Sequence, residues 1–349
     1  MTNDKKEYLF GKTLEELQEV VTSIGLPKFV ASQLADWLYK KDISSFEEMT
    51  NLSKKARALL AEKYEIGLRK PAKVQESVDG TKKYLFATDE MKFVEAAYIP
   101  EDDRATLCVS SQVGCKMGCL FCMTGKQGFQ GQLTAGEIIN QVHSLPERDQ
   151  LSNVVYMGMG EPFDNLTEVL KSIEILTSEW GYAWSPRRIT VSTIGILPAM
   201  KTFMEESEAH LAVSLHSPFE SERKSLMPIE QVYSLPEVLK TIRDFDWGRQ
   251  RRISFEYIMF KGVNDSQAHI KKLVNLLGGM RTRLNLIRFH PIPDTPLEGT
   301  GEERLMEFKD ELNRRGVFTT IRASRGQDIY AACGLLSTKG LVKEEEKNF

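Results

Sequence analysis

Cys115, Cys119 and Cys122 stand in C-x3-C-x2-C spacing within CVSSQVGCKMGCLFC, and a fourth thiol, Cys108, opens that stretch. Thiolates at such short separations suit an iron–sulfur cluster, yet three of them leave one iron of a four-iron cubane without a protein ligand. That open iron can chelate a small molecule and, at the low potential of such clusters, pass it an electron. A zinc site and buried free thiols that pack as small hydrophobes are the competing readings. Closed zinc sites take four ligands, usually from paired C-x2-C half-sites, and would leave the x3 step and the open position unexplained.

Other polar residues sit where strands are expected to end. Gly158-Met159-Gly160-Glu161 offers glycines that permit close backbone approach and a carboxylate suited to a ligand ammonium. Ser192 in VSTIG and Ser214-Leu215-His216 in VSLHSP close the next two strands, and taken singly read as turn residues that satisfy backbone groups. His290 lies in the sixth strand segment, LNLIRFHP. Glu95 shares a strand face with Phe93 and Ala97, which sets a carboxylate among apolar neighbours. With three thiols assigned to iron, Cys108 and Cys333 remain. Cys108 is expected at the base of the first strand, and Cys333 in the Gly/Ala-rich loop Ala331-Ala332-Cys333-Gly334.

Helices and strands that could position these residues are legible. LEELQEVVTSIG and FVASQLADWLYK carry apolar residues at helical spacing, and Ser44-Ser45-Phe46-Glu47-Glu48 reads as a capped start. Residues 1–75 are therefore expected to form a small helical domain whose second half is basic, with Lys54, Lys55, Arg57, Lys63, Arg69, Lys70 and Lys73. KKYLFAT and MKFVEAAYI alternate as a hairpin over 76–100. From Thr106, the segments LCVSSQ, NVVYMGMG, RITVSTIG, HLAVSLH, RISFEYIM and LNLIRFHP alternate with helices, the first opened by a Thr134-x-x-Glu137 capping box. The fold class is α/β: six βα units in an open, partial (β/α) barrel over residues 101–336, followed by a tail, 337–349. Ligands of parallel βα proteins collect at the carboxyl ends of the strands, where the polar motifs fall. His143 and His269 lack partners at metal spacing and read as structural.

Lys and Arg number 46 against 49 Asp and Glu, a formal net charge of −3 that by itself does not advertise nucleic-acid binding. Local clusters matter more: Arg187-Arg188, Arg249 with Arg251-Arg252, Arg281 with Arg283, Arg314-Arg315, and Arg322 with Arg325. Five cysteines, an odd number, argue against a secreted disulfide framework. With no apolar run of membrane-spanning length and no secretory h-region in MTNDKKEYLF, a cytoplasmic protein is expected, a monomer by default.

The cysteine stretch resembles the radical S-adenosylmethionine (SAM) superfamily signature. More closely, CVSSQVGCKMGCLFCMTGKQGF together with AACG resembles the RlmN family of dual-specificity RNA methyltransferases, with matching motifs in matching order from about Glu95 to Leu336. The resemblance implies one [4Fe-4S] cluster on Cys115, Cys119 and Cys122, with SAM on the open iron. It implies SAM contacts from Gly160, Glu161, Ser192, Ser214, Leu215, His216 and His290, and it makes Glu95 a proton acceptor. Two positions depart from the family pattern: His290 replaces a common Asn, and Tyr330 a common Asp. The implied chemistry uses two SAM per turnover, because adenine C2 is electrophilic and mismatched to ordinary methyl transfer. One SAM methylates Cys333. The second yields a 5′-deoxyadenosyl radical that activates this S-methyl group for addition to C2. Cys108 then removes the C2 proton and forms a transient disulfide with Cys333. Implied substrates are an adenosine of 23S rRNA at the peptidyl-transferase centre and the adenosine 3′ of the tRNA anticodon. An external, flavodoxin-like one-electron reductant and RNA contact by the N-terminal domain are implied as well.

Two alternatives stand beside this expectation. A Cfr-type enzyme would methylate adenine C8, although VSSQVGC lacks the additional cysteine of the SSQCGC form. A non-catalytic iron–sulfur RNA-binding factor would neither cleave SAM nor carry methylated Cys333. The cluster assignment is checked by iron and acid-labile sulfide analysis: Ser at 115, 119 or 122 should reduce bound iron to background, whereas Cys108→Ser and Cys333→Ser should retain it.

Overall fold

The computed structural model describes residues 6–248 and 252–338. Arg249, Arg251 and all but the first two residues of the expected tail therefore lie outside the described residues. The N-terminal part consists of β1 (Glu7–Tyr8), α1 (Leu14–Ser23), α2 (Phe29–Lys40), a 3-10 turn (Phe46–Glu48), α3 (Lys54–Lys63) and β2 (Tyr64–Glu65), with β1 and β2 paired in parallel. A capping box starts α1, where Thr13 Oγ1 accepts from Glu16 N and Glu16 Oε2 accepts from Thr13 N. Leu17, Val21, Leu34 and Leu38 are fully buried and join the same apolar core as the central sheet. Close backbone approach seats this part on its neighbour. A Cβ on Gly11 would stand 2.3 Å from Gly136 Cα, and one on Gly136 would stand 2.5 Å from Phe10 O, so neither position accepts a side chain.

The remaining elements are β3 (Lys73–Glu76), β4 (Lys82–Ala87), β5 (Phe93–Pro100), β6 (Ala105–Cys108), β7 (Gln112–Val113), α4 (Met123–Gln127), β8 (Gly131–Gln132), α5 (Ala135–His143), β9 (Asn153–Tyr156), α6 (Leu166–Thr177), β10 (Ile189–Thr193), α7 (Leu197–Glu206), β11 (His210–Ser214), α8 (Glu220–Leu226), α9 (Leu235–Asp244), β12 (Ile253–Met259), α10 (Gln267–Leu277), β13 (Thr282–Arg288), α11 (Glu302–Arg314) and β14 (Thr319–Ile321). Ten strands form one sheet in the order β14-β13-β12-β11-β10-β9-β6-β5-β4-β3. The pairings from β6 through β9 to β14 are parallel, and β3, β4 and β5 continue the sheet antiparallel. Among the described residues the sheet does not close, and β3 and β14 are its edges.

Three features differ from the sequence expectation. A seventh parallel strand, β14, is only three residues long, too short to show periodicity, and pairs with Leu284–Leu286. The antiparallel extension has three strands, because Lys73–Glu76 pairs with β4. Cys108 ends the first parallel strand instead of lying at its base: β6 stops there, and Ser111 N and Gln112 N turn to Met159 O. Cys108 therefore stands at the carboxyl edge of the sheet, where ligands of parallel βα proteins collect.

The register also defines one inner face. Lys83 lies opposite Ala97, Ala97 opposite Cys108 and Cys108 opposite Val155, while Leu85 lies opposite Glu95 one step along the same face. Across the open side runs a C-terminal strap, residues 322–338. Gly326 N donates to Asp79 Oδ2 (2.9 Å), Ser77 Oγ donates to Asp328 (2.5 Å) and Ser337 N donates to Glu95 Oε2 (2.9 Å).

His143 lies buried where α5 meets the N-terminal part, its Nδ1 2.6 Å from Tyr182 Oη and its ring edge-on to Phe10. Burial, then the Arg148 charge, holds its pKa down to about 4. A histidine lowered from ~6.5 gives its full stability contribution above that value and loses it as the pH falls toward the folded-state pKa. Between about pH 7 and 4, wild type should therefore lose about 3 kcal/mol more unfolding free energy than His143→Gln, as read by urea denaturation.

Candidate active site

The loop carrying Cys115, Cys119 and Cys122 joins β7 to α4. Gly114 must be glycine, since its φ is 73° and a Cβ would stand 1.7 Å from Gly128 O. Cys122 N donates to Cys119 O, Leu120 N to Leu226 O, and Met123 N to Gly334 O (2.8 Å) of the strap. Burial pushes the Cys115 thiol up to about 12 and Cys119 well above its ordinary range, and the other thiols and Glu161 add repulsion. Among the described residues, no three His, Cys, Asp or Glu side chains are grouped as ligands of a single metal ion. In a cubane each thiolate takes its own iron. Neutral thiols crowded in an apolar loop beside a buried carboxylate fit a cationic cluster, which would hold them as thiolates.

Glu161 follows β9 and is buried; its Oε1 accepts from Thr193 Oγ1 (2.6 Å) and Phe163 N, and its Oε2 from Ile194 N (3.1 Å). Burial raises its pKa to about 7, against the pull of these donors. Gly160 has φ 99°, and a Cβ there would meet Gln112, whose Oε1 accepts from Glu161 N. Ser192 lies within β10, one residue before the Glu161 partner Thr193, and Ser214 ends β11. Leu215 is fully buried, so its side chain belongs to the core. His216 is buried in left-handed backbone (φ 53°), accepts from Ile258 N through Nδ1 and meets Phe121 edge-on. Burial, then Arg223, lowers its pKa to about 3, so the ring is neutral. His290 Nε2 pairs with Ser324 Oγ (3.0 Å) of the strap, and Tyr330 turns outward, 65% exposed.

Cys108 is buried and Cys333 exposed, and all five cysteines are unbridged. Burial, then the neighbouring Cys333, pushes Cys108 up to about 12. Cys108, Ala97 and Ala331 form one apolar cluster with Val155 and Met157 packed against it, which brings the strap onto the inner face. Glu95 is buried two residues from Ala97 on the same strand, ion-paired with Lys83 (3.0 Å). The strap is also tied to α4, where Thr124 Oγ1 donates to Leu336 O (2.7 Å). The structure thus gathers the thiol pair, Glu95 and the cysteine loop at one end of the sheet.

Sequence reasoning missed several residues of this region. Arg322, grouped with Arg325 as a basic cluster, reaches inward to Met157 Sδ (3.0 Å) and Glu256 (3.4 Å). Arg223 is fully buried, paired with Glu230, and donates to Ile194 O and Ser214 O behind the strand ends. Lys83 gave no signal beyond a basic residue in a hairpin. Other arginine clusters are structural: Arg188 lies over Trp184 and bonds Ser152 O, while Arg314 and Arg315 pair with Glu311. Arg187, Arg243, Arg252 and Arg281 line a cavity of about 640 Å³ at the opposite, amino ends of the strands. His269 bonds Ser266 and Glu222, a structural role.

Residues 8–66 match the Ribosomal RNA large subunit methyltransferase N-terminal domain family, and residues 109–274 the Radical SAM superfamily. A "Probable dual-specificity RNA methyltransferase RlmN" of Bacteroides thetaiotaomicron is 58% identical over 340 residues, covering 97% of this chain and 98% of that protein. The chain belongs to the RlmN family. The "Dual-specificity RNA methyltransferase RlmN" of Syntrophus aciditrophicus is 43% identical, covering 96% of this chain and 97% of its own. The crystal structure of a radical SAM methyltransferase from Sphaerobacter thermophilus superposes with a TM-score of 0.88 at 39% identity, covering 95% of this chain and 99% of that one. As an RlmN-family member the chain is a SAM-dependent RNA methyltransferase of the radical SAM superfamily, which uses a [4Fe-4S] cluster and SAM. No helix among the described residues is long and apolar enough to cross a membrane.

Arg223→Met should lower the unfolding free energy by about 3–5 kcal/mol, because buried Glu230 would lose its partner. Urea denaturation of the metal-free protein measures this loss, and Arg223→Met with Glu230→Leu should recover part of it.

Proposed function

We propose that the chain methylates C2 of adenosine in 23S rRNA and in tRNA, through an S-methyl group on Cys333 and a transient Cys108–Cys333 disulfide. The observation that carries this reading is the placement of the strap, with Cys333 beside Cys108 on the inner face and its neighbours Gly334 and Leu336 bonded to the helix after the cysteine loop. Cys115, Cys119 and Cys122 would hold the cluster, and Gly160, Glu161, Ser192, Ser214, His216 and His290 would surround SAM. Leu215 would contribute through its backbone. When bound, the cluster supplies one-electron cleavage of SAM.

The chain's own residues do the rest. Cys333, the exposed thiol of the pair, receives a methyl group from a first SAM by displacement and releases its proton to solvent. Once the methyl carbon is joined to adenine C2, Cys108 takes the C2 proton and passes it to Glu95, on the same sheet face. The Cys108 sulfur then bonds the Cys333 sulfur as the sulfur–carbon bond breaks, and the proton Cys108 gives up goes to the electron pair left on the linking methylene, which becomes the methyl group on C2. An external reductant, flavodoxin-like for the one-electron step, prepares the next turnover. C2 is hidden in a stacked helix, so the adenine must be extruded, which loops permit at low cost. The N-terminal helices and their exposed lysines would hold the folded RNA.

Peptide mass spectrometry of cluster-replete, SAM-treated protein tests the covalent step: one added methyl group is expected on Cys333 and none in Cys333→Ala. An unmodified Cys333 would sink the two-SAM mechanism. Digested product RNA should then co-migrate with 2-methyladenosine; co-migration with 8-methyladenosine would move the chain to the Cfr-type reading.

A further inference from the structure

Glu95 and Lys83 form a buried ion pair whose second carboxylate oxygen is also engaged. Lys83 Nζ stands 3.0 Å from Glu95 Oε1, and Ser337 N donates to Oε2 at 2.9 Å. The two side chains are about 1% and 9% exposed, and they come from adjacent antiparallel strands in which Lys83 faces Ala97 and Glu95 faces Leu85. The backbone around Glu95 is fixed as well, since Ser110 Oγ donates to Glu95 O (2.6 Å) and Glu95 N donates to Met159 Sδ. Removing a carboxylate from water favours its neutral form unless a cation or N–H group compensates. Burial accordingly raises the Glu95 pKa, and Lys83 and Ser337 pull it back.

We propose that Lys83 is a positioning residue of the methyl-transfer reaction, holding Glu95 ionised and aimed along the inner face toward Cys108. The inference rests on the reading of Glu95 as proton acceptor given above. The step concerned is a proton transfer alone: the proton arriving by way of Cys108 converts the Glu95 carboxylate to the acid, and no electron moves. In contact with this carboxylate are Lys83 from β4 and Ser337 N from the strap, while Cys108 of β6 lies further along the face, opposite Ala97, with Cys333 and Arg322 near it. Lys83 is the cation in contact with Glu95. Without that cation, burial favours the neutral acid, which accepts no proton.

Infrared difference spectroscopy of the metal-free protein tests this without turnover. Lys83→Met should show, near pH 7, the carbonyl stretch of one protonated carboxyl group in addition to any that wild type and Lys83→Arg show, and this extra band should be lost again in Lys83→Met with Glu95→Gln. In cluster-loaded enzyme, the acid limb of the kcat profile should move to higher pH in Lys83→Met, with about a tenfold loss at neutral pH for each unit moved, and return in Lys83→Arg. A Lys83→Met protein with neither the band nor the shifted limb overturns the proposal. Should that variant fail to fold, a protonated-carboxyl band in wild type at neutral pH that vanishes in Glu95→Gln overturns it equally. If wild-type enzyme makes no methyladenosine, the functional reading fails, and the infrared result still decides what Lys83 does to Glu95.

Discussion

The hydrogen bonds between the strap and the helix after the cysteine loop are the constraint on which the rest depends. Met123 N–H and the Thr124 hydroxyl reach the carbonyls of Gly334 and Leu336, so the segment holding Cys333 is located by the helix that directly follows Cys115, Cys119 and Cys122. Asp79 and Asp328 tie the far end of the strap to the β3–β4 turn. Between these anchors Ala331 packs on Cys108, and just beyond the second Ser337 reaches Glu95. A partial barrel with unpaired edges has no covalent or sheet closure across its open side. The strap supplies a closure made of side-chain and backbone hydrogen bonds.

The parallel sheet explains why the remaining groups converge. Each parallel strand delivers its last residues to the same rim, so Cys108, Glu161, Ser214 and His290 arrive together although about 180 residues separate the first from the last. Behind the rim, Arg223 ties Ile194 O and Ser214 O to Glu230, and Asn264 binds the backbone of His216 and Ile258. These buried polar residues satisfy backbone carbonyls left unpaired where the strands end, and they keep neighbouring rim residues in register.

What could be read from the chain and what could not divide along sequence distance. The cysteine spacing, the Thr134–Glu137 box and most strands were legible because their determinants lie within a few residues. Three-residue β14 is too short to carry a pattern, and LCVSSQ reads as one apolar-to-polar run in which nothing local marks the stop at Cys108. The turn at Ser110 follows from Gln141 and Met159, which lie far along the chain. Lys83 and Arg322 were invisible as site residues, since a lysine in a hairpin and an arginine after a strand are ordinary surface features. Their roles depend on cross-strand register and on the inward face of a curved sheet, both tertiary properties. His290 and Tyr330 separate in the same way: one faces the strap hydroxyl of Ser324, the other faces solvent.

The strap also bears on the order in which the molecule is made. Its decisive bonds join residues 251, 212 and 242 positions apart, Ser77 to Asp328, Thr124 to Leu336 and Glu95 to Ser337. Contacts of that span form late, and during synthesis they cannot form until the carboxyl-terminal residues leave the ribosome. The cysteine loop, the sheet rim and the N-terminal helices can be assembled before Cys333 exists. Cys108 and Cys333 therefore first meet once the strap has been made, inside a scaffold that can already have folded.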